Sequence, residues 1–232
     1  MTGTDPVFLI TGASSGIGAA TARQAAQAGY RVVLAARSAD KLEALAAECG
    51  GADRALAVTC DVTEWEQQQA MVAQALEAFG QLDVVFANAG FGARRGFLEE
   101  SPEFWKSMVL TNVYGAALTI RATVEHLRES RGHLLLTGSV AGRVALPGSL
   151  YSFTKWAVTA MAQAARGELD DNSGVRVTLI EPGMTATPFF ENDISAWGLP
   201  PEAIADAVMY AVSRPKTVDV SDIMVRPILQ PE

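Results

Sequence analysis

Tyr151 and Lys155 are the pair in this chain whose types and spacing speak most directly of chemistry. Four apart on a helix, they share a face. A phenol is a weak acid, with an ordinary pKa near ~10. A Lys ammonium about 4 Å away, at an effective dielectric of ~20, favours the phenolate by about 4 kcal/mol before desolvation. That predicts a Tyr151 lowered by as much as ~3 pKa units, close enough to neutrality to pass a proton at working pH. Ser139 offers a hydroxyl that can hold the reacting oxygen near Tyr151. A tyrosine and lysine at this spacing also arise as a plain surface helix contact. The pair gains meaning only from the elements that position it.

Those elements alternate along the whole chain. The apolar run Leu134–Leu136, bounded by Gly132 and Gly138, reads as a strand buried on both faces, with Ser139 just past its end. Residues 7–10, 31–36, 55–59, 82–86, 175–180 and 223–225 read as further strands. Between them run helical stretches to about Ala28, over 38–48, 63–79, 101–127 and 151–170, and over 201–212. Strands alternating with helices predict an α/β fold with a mostly parallel, doubly wound sheet, and ligands at the strand C-terminal ends. The chain 1–232 reads as one domain, with an irregular, aromatic-bearing stretch at about 184–200 as a candidate lid.

The loop Thr11 to Gly18 follows the first strand and opens a helix. Its glycines allow close backbone approach, and a helix N-terminus supplies free N–H groups for a phosphate. It is neither a G-x-G-x-x-G fingerprint nor a Walker loop. Arg37 stands just past the second strand, after the uncharged Ala35 and Ala36. An arginine there suits the 2′-phosphate of NADP, where an acid would suit NAD. Asn112 falls in mid-helix, an unusual place for a residue that prefers caps and turns. Either a functional polar contact or a solvent-facing position accounts for it.

Composition narrows the classes. The net charge of −8 argues against a nucleic-acid binder or an anionic-membrane binder. Cys49 and Cys60 lie in no metal-ligand pattern and read as reduced thiols of a cytoplasmic protein; His126 and His133 are isolated, so no metal is expected. No apolar segment reaches the ~20 residues of a membrane span.

Taken in order, Thr11-Gly12-x-x-x-Gly16-x-Gly18, Asp61-Val62, Asn88-Ala89-Gly90, Asn112, Ser139, Tyr151-x-x-x-Lys155 and Pro182-Gly183-x-x-x-Thr187 resemble the short-chain dehydrogenase/reductase family, single-domain type, over essentially the whole chain. The resemblance implies a Rossmann-like sheet of about seven strands and a catalytic tetrad of Asn112, Ser139, Tyr151 and Lys155. It implies an NADP(H) site built from Gly12, Ser14, Ser15, Gly16, Ile17 and Gly18 at the pyrophosphate. Arg37 would lie at the 2′-phosphate, with Asp61 and Val62 at the adenine. Asn88, Ala89, Gly90, Tyr151, Lys155, Pro182, Gly183, Thr185 and Thr187 would complete the site around the nicotinamide half. It implies hydride transfer between the nicotinamide and a ketone, aldehyde or secondary alcohol, with Tyr151 as acid and base. It also implies a homotetramer or homodimer formed through the helices 102–127 and 151–170, where Gly115-Ala116-Ala117, Ala157, Ala160 and Ala164 are small.

Three departures stand out. Ser139 and Tyr151 are one residue closer than the commoner family spacing, which places a deletion in the loop 143–149. Ala87-Asn88-Ala89 precedes Gly90 where many relatives have a second Asn. The tail from Ile223 to Gln230 lacks the Gly-rich ending, and is similar to the branch near the 3-hydroxy acid (serine-type) and clavulanate dehydrogenases. Other readings stay open: a non-catalytic NADP-binding regulatory protein, a lyase or epimerase, or a dehydrogenase specific for a 3-hydroxy acid. The last reading looks to Arg94, Arg95 and Arg143 to take a carboxylate.

Overall fold

The structure is a computed structural model describing residues 5–169, 173–190, 192–228 and 230. The expected helix end at residue 170 and both chain ends lie outside the described residues.

Seven strands form one sheet: β1 (Val7–Thr11), β2 (Arg31–Ala36), β3 (Ala55–Thr59), β4 (Val84–Ala87), β5 (His133–Thr137), β6 (Arg176–Pro182) and β7 (Asp222–Val225). Their order is β3-β2-β1-β4-β5-β6-β7, and every pairing is parallel. The helices are α1 (Gly16–Gln27), α2 (Ala39–Glu48), α3 (Trp65–Phe79), α4 (Pro102–Val109), α5 (Ala116–Ser130), α6 (Leu150–Leu169) and α7 (Pro201–Val212). This is the expected Rossmann-like, doubly wound sheet.

Strand side chains alternate between two cores. Val7 and Leu9 point with Val33, Leu134, Leu136 and Leu179 toward α3, α5 and α6. Phe8 and Ile10 point with Val32, Leu34, Phe86 and Ile180 toward α1, α2 and α7. Both faces are covered, which is why the strands read as continuous apolar runs rather than alternating ones. The order reverses direction between β3 and β4, so the loops after β1 and β4 part there and leave a crevice at the C-terminal edge.

Several boundaries move for local reasons. α3 begins at Trp65 rather than Thr63, because the Asp61 carboxylate accepts from the Thr63 N–H at 3.0 Å and from its hydroxyl at 2.8 Å, holding Thr63 in a turn. Ser38 stands before α2 without a side-chain cap bond. β4 starts at Val84 rather than Leu82, and the Asp83 side chain accepts from the Val7 N–H at 2.7 Å.

The single long helix expected over 101–127 runs on to Ser130 and is not uniform. Between α4 and α5, Leu110–Gly115 forms a π-helical segment. Such segments displace one residue from the α-helical ladder and often mark a functional position. Gln68, fully buried on α3, supports this one. Its amide donates to the Gly115 carbonyl at 3.2 Å, to the Val62 carbonyl at 2.9 Å and to the Thr119 hydroxyl at 2.9 Å.

Candidate active site

The loops after six strands gather at one edge of the sheet, as their C-terminal positions require. The first is the glycine loop. Gly12 and Gly16 have φ of +65° and +54°, the left-handed region that glycine occupies without strain. A Cβ at Gly18 would lie 2.4 Å from the Gly12 carbonyl oxygen, so the loop closes on itself through an absent side chain. Ser15 takes the N-cap position of α1 but makes no side-chain cap bond. The first N–H groups of that helix therefore have no capping oxygen. An uncapped helix start behind a tight glycine loop is a cradle for a phosphate. Ser14, Ser15, Ile17 and the three glycines are all here, and Thr187 leans over them: a Cβ on Gly16 would meet its side chain at 3.1 Å. The residues present fit a dinucleotide pyrophosphate.

Arg37 is exposed just beyond β2 and makes no ion pair among the described residues. Asp61 and Val62 follow β3. Asn88 lies at the seam of β1, β4 and β5. Its side-chain amide donates to the Thr11 carbonyl at 3.1 Å, and its Oδ1 accepts from the Thr137 hydroxyl at 3.0 Å. The Thr11 hydroxyl oxygen accepts from the N–H groups of Asn88 and Ala89 at 3.0 and 3.2 Å. The Asn88 side chain thus holds three strand ends together.

Asn112 sits in the π-helical segment and is buried, which rules out the solvent-facing alternative. Its Oδ1 accepts from the Phe91 N–H at 3.0 Å, while Nδ2 donates to the Phe91 carbonyl at 2.8 Å and to the Thr154 hydroxyl at 3.1 Å. A Cβ on Gly90 would lie 3.0 Å from Asn112 Oδ1 and 3.8 Å from Lys155 Nζ, so glycine lets these two groups come together.

Ser139 caps a 3₁₀ turn, Val140–Gly142: its oxygen accepts from the Ala141 N–H at 3.1 Å, and its hydroxyl donates to the Pro182 carbonyl at 3.4 Å. Tyr151 and Lys155 share one face of α6, as their spacing predicts. The lowering of Tyr151 that this spacing predicts is not found. Lys155 Nζ donates to the Thr137 carbonyl at 2.7 Å and lies 5.6 Å from the centre of the Tyr151 ring. Burial pushes the phenol up to about 12, against a smaller downward pull from its hydrogen bond with Ser139. Burial also lowers the Lys155 ammonium to about 8. Desolvation outweighs the attraction that the helix spacing suggested.

Pro182 ends β6, and Gly183 and Thr185 follow it; Thr185 is buried and its hydroxyl donates to the Gly183 carbonyl at 3.0 Å. Gln230 of the tail reaches back, its side-chain oxygen accepting from the Met184 N–H at 3.0 Å. Of the three arginines expected to take a carboxylate, Arg95 is exposed and makes no ion pair among the described residues, while the other two are engaged. Arg143 pairs with Glu181 at 2.5 Å and Asp222 at 3.2 Å, and Arg94 pairs with Glu100 at 3.2 Å. A guanidinium already bound to two carboxylates is not available to a substrate anion. Thr137, Thr154 and Gln68 carried no sign of a role in the sequence, and Thr11 stood there only as the first residue of the glycine-loop motif.

A phosphate cradle at the sheet's C-terminal edge, with a serine, tyrosine and lysine beside it, defines a dinucleotide-dependent oxidoreductase. Residues 6–196 match the short chain dehydrogenase family, and the chain belongs to it. It is 38% identical over 229 residues to an uncharacterized oxidoreductase of Staphylococcus aureus strain MRSA252, covering 97% of this chain and 98% of that one. The fold is shared with an alcohol dehydrogenase from Thermococcus sibiricus complexed with 5-hydroxy-NADP, at a TM-score of 0.89 and 34% identity over 98% of both chains. It is shared too with a 3-ketoacyl-(acyl-carrier-protein) reductase from Brucella melitensis complexed with NADH, at a TM-score of 0.87 and 28% identity over 96% of this chain and 98% of that one.

The buried lysine gives a pH test. Its folded pKa, about 8, lies below the unfolded value near ~10.4, so the unfolded chain binds more protons between them. Stability attributable to Lys155 therefore rises with pH across that window. Denaturant unfolding of wild type and Lys155→Met, from pH 7 to 10, should show wild type gaining on the variant by up to about 3 kcal/mol. A constant difference would mean that the ammonium is not strained by burial.

Proposed function

We propose that the chain is an NADP-dependent carbonyl reductase or alcohol dehydrogenase acting on a neutral ketone, aldehyde or secondary alcohol. The observation that carries the reading is the convergence of Ser139, Tyr151, Lys155 and Asn112 beside the phosphate cradle. The nicotinamide, when bound, supplies or accepts the hydride. Tyr151 is neutral throughout the physiological range and holds a proton at its phenol oxygen, ready for a nascent alkoxide. Ser139 hydrogen-bonds that phenol and offers its hydroxyl to the same substrate oxygen. Lys155, with an ammonium that titrates near 8, holds a proton within the same buried group. Asn112 fixes the Phe91 backbone and the start of the β4 loop.

NADP is favoured over NAD because Arg37 follows two alanines and is unpaired among the described residues. The NADP-type ligand of the T. sibiricus relative points the same way, while the NADH of the B. melitensis relative marks NAD as the alternative. A neutral substrate is favoured because Arg143 and Arg94 are already in ion pairs. The stretch 184–200 acts as the substrate lid in this reading.

We also infer a homotetramer, or a homodimer, through α5 and α6. Gly115 and Ala116 are not part of that surface, because both are buried inside the chain. Ala160 and Ala164 are exposed, as are Phe153 and Trp156 on the same helix, and Ala164 lines a groove of about 710 Å³ with Ile120, Val124 and Met161. Light scattering at micromolar concentration should give a multiple of the 24.5 kDa chain mass, and a monomer would refute the assembly.

Tyr151→Phe should lose more than about nine-tenths of turnover while binding NADPH as wild type does, since only the proton donor goes. Activity above that level would remove Tyr151 from its role. Arg37→Ala should weaken NADPH far more than NADH, by about tenfold to a hundredfold, the scale of a charge-assisted contact of ~1.5–3 kcal/mol. Equal losses in titrations of the two cofactors would assign the site to NAD.

A further inference from the structure

The loops after β4, β5 and β6 meet around Tyr151, and they meet at glycines. The Gly96 N–H donates to the Gly148 carbonyl at 2.9 Å, and a Cβ on Gly148 would meet the Gly96 nitrogen at 2.9 Å. The shortened loop 143–149 thus lies directly on the β4 loop. On the other side, a Cβ on Gly92 would fall 2.6 Å from Phe189 Cζ and 2.8 Å from its Cε1. The tip of the Phe189 ring occupies the volume that any other side chain at position 92 would fill.

The same ring stands edge-on to Tyr151, centroids 5.4 Å apart, and to Phe190 at 5.1 Å. It is still 39% exposed. The base of its segment is fastened: the Ala186 N–H donates to the Leu199 carbonyl at 2.7 Å and the Leu199 N–H to the Met184 carbonyl at 2.9 Å. At the tip, among the described residues, the Phe190 N–H donates to the Thr187 carbonyl at 3.2 Å and the Phe189 N–H to the Thr187 hydroxyl oxygen at 3.3 Å. Phe189 therefore rides on a segment with a fixed stem, and its ring is located by the notch at Gly92 and the face of Tyr151.

Resting on the reading of Tyr151 as the proton donor, we propose that Phe189, seated in the Gly92 notch, is the specificity-determining residue of this site. The ring walls off the space beside Tyr151. A carbonyl reaching the phenol must place its substituent on that side against the ring, so small neutral apolar ketones and aldehydes are accepted and bulky ones are refused. Gly92 acts through Phe189: without a Cβ it lets the ring close, and with one it pushes the ring away.

The test is a double-mutant cycle on Phe189→Ala, Gly92→Ala and the pair, with NADPH and two ketones, butanone and the bulkier isobutyrophenone. Phe189→Ala should raise the isobutyrophenone-to-butanone ratio of kcat/KM by about tenfold, the scale on which an apolar pocket tells substituents apart. Gly92→Ala should raise the same ratio by about threefold in the wild-type background and leave it within about twofold once Phe189 is already Ala, because contacting residues are not additive. NADPH affinity should stay unchanged throughout. An unaltered ratio in Phe189→Ala, or an equal effect of Gly92→Ala in both backgrounds, overturns the proposal while Tyr151-dependent turnover still stands. A second measurement needs no turnover: chymotrypsin cleavage after Phe189 and Phe190 should be faster in Gly92→Ala than in wild type. If wild type reduces neither ketone, the reductase reading falls alone. Cleavage then decides the seat, with an unchanged rate overturning it and a faster one upholding it.

Discussion

Three parallel strands end side by side, and one asparagine side chain fastens them. Asn88 donates to the backbone at the end of β1 and accepts from Thr137 at the end of β5, while its own strand is β4. The switch in strand order puts these ends next to one another, and a parallel sheet leaves their last peptide groups without ladder partners. Lys155 uses the same seam, because the carbonyl that receives its ammonium belongs to Thr137. The glycine loop, the β4 loop, the serine turn and the lysine are thus registered to one another through a few bonds at one point. A site assembled from six loops needs such a point, since each loop by itself has little to fix it.

Burial sets the protonation states around that seam. The helix spacing of Tyr151 and Lys155 places them on one face, but the lysine turns to a carbonyl and the phenol remains a phenol. Burial keeps the tyrosine protonated and lowers the lysine to about 8. Ser139 is the neighbour that eases the phenol downward.

Much of this was legible in the chain. β2, α2 and α7 begin and end close to Gly, Ser and Pro, where local punctuation and burial agree, and β3 lies between charged residues, Arg54 and Asp61. That the loops after the strands would line one edge of the sheet followed from strand alternation. What could not be read depends on partners far away in sequence. Arg143 looked available for a substrate carboxylate, but its partner Glu181 is 38 residues on and buried at the end of β6. The π-helical segment left a single trace, a polar residue in mid-helix, and the carbonyl it exposes is met by Gln68, 47 residues earlier than Gly115. Gly92 carried no signal at all, since its meaning lies in the ring of Phe189 on another loop.

The central claim is that a nicotinamide held at this site passes a hydride to a carbonyl carbon while Tyr151 gives the proton. The direct measurement uses NADPH deuterated at the transferable position of the nicotinamide, incubated with the protein and a panel of neutral ketones, with products read by mass spectrometry. The account predicts alcohols carrying one deuterium on the carbinol carbon, with loss of label from the cofactor. Cofactor that keeps its label through the whole panel, although the protein binds it, would contradict the account.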